Sequence, residues 1–356
     1  MKTLRALMSK FCLLLSVFCL NFLQAQEEVH LAVPNLKREN IIGTNVGIRP
    51  CRKTGVRIEA EMLGEKLVIH NYGYGGSGLT LSLGGAKEVT DLLNHKEGTV
   101  AVLGGGVIGL ATAYDLLQMG YEVHIYADAW ENLTSHVAAG IWSPMVLPDD
   151  VSQVKKKRIE RMLATSHERF ASHEFAGIRW VDSYSFRTGT SEGAIKTKGL
   201  GEPVIAHFDN GITKTGKKIR EIAIDGNLFM QDLKEKVTNK GALFHTHHFH
   251  NKEELLQLDQ PIIINCTSIG SRELFNDKEF IPVRGQMIYF APQENIDYVL
   301  YQNVPEGKGI WVSIYAWHDR VILGGIYEKG EETRETVPET LNMLLNNAEK
   351  CFNNTL

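Results

Sequence analysis

The pattern of apolar and polar positions is most informative in the middle of the chain. Residues 99–103 (TVAVL) form a continuous apolar run, which is typical of a strand buried on both faces. Residues 110–117 then have helical spacing, Gly120 provides a stop, and residues 121–126 (YEVHIY) have the composition of a second strand. This order of elements predicts a βαβ unit.

The rest of the chain mixes helical patterns with short apolar runs. Two helices are predicted at 151–175 and 226–237, a buried strand at 260–265, and shorter strands that include 286–290 and 320–323. The basic run at 155–158 is better explained by a solvated helix face than by an anion-binding patch. A βαβ unit followed by β-rich segments predicts an α/β fold, with a Rossmann-like domain and a second, mostly antiparallel β domain.

Composition and charge narrow the range of partners. The chain has 356 residues, 43% of them hydrophobic, enough for two domains. Its formal net charge of -4 and its pI near 6.4 give no reason to expect a nucleic-acid partner, so a small molecule is the default expectation.

The first 26 residues have the order of a secretory signal peptide. Lys2, Arg5 and Lys10 precede an apolar run from 11 to 23, which is followed by 24–26 (QAQ). The run is short for a membrane-spanning helix, although an uncleaved anchor stays open as an alternative. We therefore expect a secreted or periplasmic protein.

The cysteines do not decide this point. Cys12 and Cys19 lie in the predicted signal, which leaves Cys51, Cys266 and Cys351 in the mature chain. Three widely spaced cysteines do not make a disulfide framework, and they neither support nor exclude export.

A glycine-rich turn joins the first predicted strand to the helix. In the run 104–109 (GGGVIG), Gly104 permits the tight turn, Gly106 lets the backbone approach a pyrophosphate, and Gly109 lets helix and strand pack closely. The helix that follows offers free N–H groups to phosphates, and Asp128 is placed to bind ribose hydroxyls. A dinucleotide is predicted, but this unit alone does not separate FAD from NAD.

Further segments carry a family resemblance. Those after the glycine turn are 134–144 (TSHVAAGIWSP), 265–267 (NCT), 284–286 (RGQ) and 321–326 (VILGGI). Together they resemble the D-amino-acid oxidase family of FAD enzymes, in the family's own order. Residues 47–52 (GIRPCR) and 70–80 (HNYGYGGSGLT) resemble that family's carboxyl-terminal third, yet here they come first. The simplest account is a circular permutation, with 94–98 joining the old ends.

The resemblance implies an activity and a domain plan. It implies an FAD enzyme that oxidises neutral D-amino acids to imino acids, which become 2-oxo acids and ammonia, while O2 is reduced to hydrogen peroxide. Residues 36–145 with 222–280 would form the FAD-binding domain, and 146–221 with 281–356 the substrate-binding domain. The oligomeric state stays open, with a homodimer as one option.

The resemblance also implies site residues. Arg49 would hold the substrate carboxylate with the Tyr315 hydroxyl, and the Gly76 carbonyl would accept from the substrate amine. Trp311 stands where the family has a lid tyrosine, so it would cover the substrate without donating from the same place. The residues implied in FAD binding are Gly75, Gly76, Ser77, Gly78, Leu79, Thr80, Gly104, Gly106, Val107, Ile108, Gly109, Asp128, Thr134, Ser135, Ala139 and Gly140.

A D-aspartate oxidase, another amine or amino-acid oxidase of the same fold, and an inactive exported binding protein remain open as alternatives. A D-aspartate oxidase would need a second cation, but Tyr327 stands where that enzyme's pattern has an arginine. The structural alternative for Arg49 is a salt bridge that stabilises its loop. The histidines at 245, 247, 248 and 250 suggest a metal site, but strand alternation would place them on opposite faces, so no metal is expected.

Overall fold

The computed structural model describes residues 26–93, 98–142, 152–187, 201–305 and 310–353. The predicted signal peptide, apart from Gln26, lies outside the described residues. So do 94–97 of the predicted joint and 143–144 of the segment that resembles the flavin-binding pattern.

The described residues form sixteen strands, which divide between two sheets. They are β1 Glu27–Leu31, β2 Ile41–Arg52, β3 Arg57–Leu63, β4 Lys66–Tyr72, β5 Thr99–Leu103, β6 Glu122–Ala127, β7 Ile178–Phe186, β8 Glu202–Phe208, β9 Thr213–Ile224, β10 Leu243–Thr246, β11 Ile262–Asn265, β12 Phe280–Phe290, β13 Val299–Asn303, β14 Trp311–Ala316, β15 Val321–Gly324 and β16 Glu328–Lys329.

Seven α-helices are assigned in the same ranges. They are α1 Gly78–Thr90, α2 Val107–Gln118, α3 Thr134–Val137, α4 Gln153–Ala171, α5 Gly226–Asn239, α6 Ser271–Leu274 and α7 Pro338–Phe352. The predicted βαβ unit is confirmed, since β5, α2 and β6 occupy the expected places. Helix α2 begins three residues before the predicted start, at the end of the glycine turn. The predicted helices near 151–175 and 226–237 appear as α4 and α5.

The smaller sheet has the strand order β10-β6-β5-β11-β4-β3. Its strands run parallel except β3, which forms a hairpin with β4. Strand β11 lies between β5 and β4, with Asn265 opposite both Leu103 and His70. The carboxyl ends of these three strands therefore meet at one edge, where open parallel sheets bind ligands. An early segment of the chain thus completes the sheet that carries the glycine turn.

The larger sheet is mostly antiparallel and has the order β1-β8-β9-β7-β13-β14-β15-β12-β16, with β2 also pairing with β12. Only the pairs β1–β8 and β7–β13 run parallel among the strand pairs described. Residues 41–52 belong to this sheet, since β2 pairs with β12. The predicted domain boundaries stay a prediction. The two-part α/β architecture matches the expected fold class.

Two apolar cores hold these sheets. One joins the smaller sheet to α1, α2 and α5, and the other joins the larger sheet to α7. Helix α4 crosses α1 closely, because a Cβ at Gly84 would lie 2.1 Å from the Met162 carbonyl oxygen. The Gly84 N–H also donates to Ser166 Oγ at 2.9 Å. Glycine is therefore required where α4 crosses α1. This crossing attaches α4 to a helix that packs on the smaller sheet.

The histidine-rich segment differs from its prediction. Strand β10 ends at Thr246, so only His245 lies in a strand, and His247, His248 and His250 follow it. The reason is the length of the partner strand, since β6 ends at Ala127. The Ala127 carbonyl accepts a hydrogen bond from the His247 N–H, and β6 offers no residue beyond it for further pairing. His245 instead stacks on the ring of Tyr126, with centroids 4.5 Å apart.

Two further observations concern the cysteines and the helices. Cys51, Cys266 and Cys351 are buried free thiols. Within the described ranges, no helix combines the length and apolar character needed to cross a membrane.

Candidate active site

A cavity of about 910 Å³ lies between the two sheets. The smaller sheet contributes the glycine-rich turn after β4 and the start of α2, and the larger sheet contributes side chains from several strands. Gly76 and Gly106 both line it, although 30 positions separate them in the sequence. The expected meeting of the early segment with the glycine turn is therefore found.

Each glycine of the turn after β5 has a separate steric role. Gly104 has φ +118°, and a Cβ there would lie 2.5 Å from the Cys266 carbonyl oxygen. A Cβ at Gly109 would lie 1.9 Å from the Gly104 carbonyl oxygen. At Gly106 the nearest atom would be Ser135 Oγ at 3.6 Å, which leaves space beside the cavity. Gly104 and Gly109 thus let the turn pack, and Gly106 lets a ligand approach.

The start of α2 supplies donors toward the cavity. Val107 and Ile108 line it, and the Val107 N–H currently donates to Ser135 Oγ at 3.1 Å. Helix N-termini carry unpaired N–H groups and a partial positive charge, which suits a pyrophosphate. Thr134 and Ser135 of α3 add hydroxyls to the same lining, and Thr134 Oγ1 donates to the Ile48 carbonyl at 3.2 Å.

The turn after α3 is fixed by close backbone packing. Ala139 and Gly140 line the cavity. Gly140 has φ +71°, and a Cβ there would lie 1.7 Å from the Ile224 carbonyl oxygen. The Ile224 N–H donates to the Gly140 carbonyl at 2.5 Å. This hydrogen bond attaches the segment 134–142, which resembles a flavin-binding pattern, to β9 of the larger sheet.

Most of the residues implied in FAD binding are brought together, but four do not line the cavity. Gly75, Gly76, Gly78, Leu79 and Thr80 line it beside the groups above. Gly104, Gly109, Ser77 and Asp128 lie outside the lining. The Asp128 side chain is 67% exposed, with Oδ2 3.5 Å from His248 Nδ1. The two glycines act by packing, whereas the ribose role of Asp128 stays a prediction.

Arg49 reaches the cavity from β2 without a carboxylate partner. Its Nη1 donates to the Ile326 carbonyl at 3.4 Å, and its guanidinium carbon lies 4.9 Å from the centre of the Tyr327 ring. Within the described ranges, Arg49 makes no ion pair. A Cβ at Gly285, on β12, would lie 2.6 Å from Nη1, so glycine leaves room for the guanidinium. The cavity therefore holds a cation that is available to an anionic ligand.

Strand β14 presents three side chains to the cavity on alternate positions. Trp311, Ser313 and Tyr315 all line it, as expected for one face of a strand. Burial raises the pKa of Tyr315, while the nearby Arg49 and Arg187 act in the opposite direction. The hydroxyl is therefore protonated near neutral pH and available as a donor. The four residues implied in catalysis, Arg49, Gly76, Trp311 and Tyr315, thus share one cavity.

Two charged residues in the cavity were not predicted. Glu221 faces it from β9, and burial raises the pKa of this carboxyl to about 6. Arg187 follows β7, and its guanidinium carbon lies 4.8 Å from the centre of the Trp311 ring. Burial lowers the pKa of Arg187, although nearby Tyr301 and Tyr315 act against this. Neither residue belongs to a recognisable motif, and only the pairing of the strands brings them to the site.

The cavity's thiols are poorly suited to nucleophilic chemistry. Burial raises the pKa of Cys51 to about 11 and that of Cys266 to about 12, so both stay protonated at neutral pH. The site offers instead a glycine cradle beside a helix N-terminus, and an unpaired arginine with a tyrosine hydroxyl. These groups fit a cofactor that carries a pyrophosphate and a substrate that carries a carboxylate.

The chain is similar in sequence to known FAD-dependent enzymes. Residues 99–197 match the model of a family described as FAD dependent oxidoreductase. A D-amino-acid oxidase of Streptomyces coelicolor is 29% identical over 256 residues, which are 70% of this chain and 76% of the relative. A D-amino acid oxidase of Dugesia ryukyuensis is 26% identical, covering 71% and 79%. The human D-aspartate oxidase is 25% identical, covering 65% and 69%.

Proposed function

Because the chain matches the FAD dependent oxidoreductase family over residues 99–197 and is similar to D-amino-acid oxidases, we propose that it oxidises D-amino acids to imino acids and reduces O2 to hydrogen peroxide. The observation that carries the proposal is the unpaired Arg49 beside Tyr315, in the same cavity as the glycine cradle. A cation and a donor at one place suit the carboxylate that every amino acid carries.

The residues present fit FAD. Gly106 leaves space without a Cβ, the start of α2 provides backbone donors, and Thr134 and Ser135 add hydroxyls. These groups would hold the pyrophosphate, while the turn at 73–80 would lie against the flavin. When bound, FAD accepts the hydride from the substrate α-carbon and passes two electrons to O2.

The chain's own residues position the substrate. Arg49 binds the α-carboxylate, Tyr315 donates its hydroxyl hydrogen to the same group, and the Gly76 carbonyl accepts from the amine. Trp311 covers the substrate and excludes water. The substrate loses a hydride from carbon and a proton from nitrogen, which gives the imino acid. Water then hydrolyses it to a 2-oxo acid and ammonia, and the two electrons with two protons convert O2 to hydrogen peroxide.

The test is anaerobic bleaching of the flavin spectrum by a panel of D- and L-amino acids, followed by peroxide detection after air is admitted. The proposal expects bleaching by D-amino acids only, with one peroxide formed for each imino acid. A purified protein without yellow absorbance, or one that no D-amino acid bleaches, would favour the exported binding protein instead.

The side-chain preference needs its own comparison. Tyr327 supplies no second cation in the place where the D-aspartate oxidase pattern has one, so the sequence favours neutral side chains over aspartate. The cavity also contains Glu221, which would repel a carboxylate, and Arg187, which would attract one. Turnover of D-aspartate at or above that of D-alanine would contradict the preference.

Three organisational features remain proposals. Circular permutation is supported by the place of β4 beside β11. A rearranged chain with 98–353 ahead of 27–93 should still fold and bind FAD. Export is supported by the order of residues in 1–26, and amino-terminal sequencing of secreted protein should start near residue 27. A homodimer is tested by light scattering of the purified enzyme.

A further inference from the structure

Glu221 has an unfilled hydrogen-bonding position inside the cavity. It lies two residues after Ile219 on β9, and both side chains face the cavity. Its Oε2 is buried and has no hydrogen-bond partner among the described residues. A buried carboxylate oxygen without a partner loses its hydration and receives nothing in return. Such a group is well placed to bind a donor that arrives with a ligand.

The charges around Glu221 leave it unpaired. It forms no ion pair in the part of the chain that the structure describes, whereas the adjacent Arg220 pairs with Asp182 at 2.8 Å. Arg187, the other unexpected charge, already rests against the Trp311 ring. Cation–π contact partly compensates that guanidinium for lost water, whereas for Glu221 the Ser183 hydroxyl favours the charged form but Oε2 still has no hydrogen bond.

The position of Glu221 relative to the proposed carboxylate site follows from Tyr315. Arg49, Tyr315 and Glu221 line the same cavity, and the charges of Arg49 and Glu221 both act on the pKa of Tyr315. Glu221 also acts on Tyr301, whose ring centroid lies 6.1 Å from that of Tyr315. A substrate anchored at Arg49 could therefore extend an aliphatic side chain along the two rings toward Glu221.

We propose that Glu221 binds the positively charged end of the substrate side chain, so that the enzyme prefers D-amino acids with an ammonium or guanidinium group. This rests on the proposed function, because the α-carboxylate must be held by Arg49. It departs from the earlier expectation of neutral side chains: acidic side chains are repelled as before, but cationic ones bind better than neutral ones.

The first test compares D-lysine with D-norleucine, which has the same straight carbon chain without the ε-ammonium, and with D-glutamate. The holoenzyme should show a higher kcat/KM for D-lysine than for the other two. Glu221→Gln keeps the side-chain volume and should lower the ratio of D-lysine to D-norleucine by at least about tenfold, since one charge-assisted hydrogen bond is lost. Asp182→Asn removes a carboxylate from the neighbouring strand outside the cavity, and it should leave the ratio as in the parent.

A parent enzyme that prefers D-norleucine or D-glutamate to D-lysine would overturn the proposal. A preference for D-glutamate would indicate that Arg187 binds the substrate side chain instead. The flavin content of Glu221→Gln shows whether this variant has folded. If it has not, the preference of the parent among the three substrates still tests the proposal.

The second test does not depend on turnover. 6-Aminohexanoate is lysine without its α-amino group, so it cannot be oxidised at that position, and hexanoate lacks the terminal cation. Calorimetry on the holoenzyme should find tighter binding of 6-aminohexanoate, and Glu221→Gln should remove the difference. Equal binding of the two acids by the parent would contradict the proposal. If the cation preference is found but no D-amino acid is oxidised, the proposed function fails while the role of Glu221 stands.

Discussion

The two ends of the cavity are built in different ways. At the cofactor end, Gly104, Gly106 and Gly109 belong to one short run that joins a strand to the next helix. The substrate end is made from single residues on separate strands of the larger sheet, such as Arg49 on β2, Glu221 on β9 and Tyr315 on β14. The first therefore depends on local backbone geometry, and the second depends on strand register. Substitutions at the two ends should therefore differ in their effects on stability, FAD content and catalysis.

The largest effect is expected for Gly109→Ala at the cofactor end. The new Cβ would lie 1.9 Å from the Gly104 carbonyl oxygen, which is backbone and cannot rotate away. We expect a loss of about 3 kcal/mol in the free energy of unfolding, the upper part of the usual range for overpacking, together with loss of FAD. Gly43→Ala, where a Cβ would meet nothing within 4 Å, is the matched control. Urea titration and flavin absorbance measure both effects.

A smaller effect is expected at Glu221, and its sign depends on pH. Burial raises the pKa of this carboxyl from 4.5 to about 6, so the native state holds a proton that the unfolded chain has released. The group therefore lowers stability as pH rises from about 4.5 to 6, by about 2 kcal/mol at 1.36 kcal/mol per pKa unit. Glu221→Gln should remove this loss, which urea titrations at pH 4 and pH 8 would show. An identical pH dependence in parent and variant would contradict the assignment.

The same carboxyl should control binding of a cationic ligand. Because the ionised form binds the cation, affinity for 6-aminohexanoate should fall as pH drops below about 6. Tyr301 and Tyr315, on which the charge of Glu221 acts, do not change charge in this range, because burial raises the pKa of both hydroxyls. Calorimetric titrations between pH 5 and pH 8 would measure the change.

A still smaller effect is expected for Tyr315→Phe. This variant removes one hydroxyl donor but leaves Arg49 in place, so kcat/KM for the best D-amino acid should fall by about tenfold, or about 1.4 kcal/mol. FAD content should stay unchanged, since the pyrophosphate is held at the other end. Steady-state kinetics and the flavin-to-protein ratio are the two measurements. Loss of flavin would show that the ends are not independent.

The smallest effect should come from Asp128→Asn. Its side chain is 67% exposed and lies outside the cavity lining, so the affinity for FAD should change by less than about threefold. Fluorescence titration of the apoprotein with FAD would measure this. A large loss of affinity would support the ribose-binding role that the sequence predicts for Asp128.

The outcome of sequence analysis follows the same division. The run from Thr99 to Gly109 was predictable, because a buried strand, a tight turn and a helix start are each local properties. Glu221 and Arg187 could not be predicted, because only the pairing of β9, β7 and β13 brings them to the cavity. The roles of Arg49 and Tyr315 were predicted from the family resemblance, because no periodicity in the sequence links these two residues.

The strand predicted for the histidine-rich segment was wrong for a physical reason. The alternation predicted for the histidines after His245 assumed a strand that its partner, ending at Ala127, is too short to support. Strand β2 shows the same dependence on a distant partner, because it pairs along the length of β12. Strand length and sheet membership depend on partners that are distant in sequence, so local patterns do not determine them.

The central claim is that Arg49 holds the carboxylate of a D-amino acid beside bound FAD. Its most direct test is the rate at which a D-amino acid bleaches the flavin anaerobically in Arg49→Ala, compared with the parent and with Arg49→Lys. We expect a fall in bleaching efficiency of at least about a hundredfold in Arg49→Ala, or about 2.7 kcal/mol, and a smaller one in Arg49→Lys. The flavin content should stay unchanged. Bleaching at the parent rate by a fully flavinated Arg49→Ala would contradict the account.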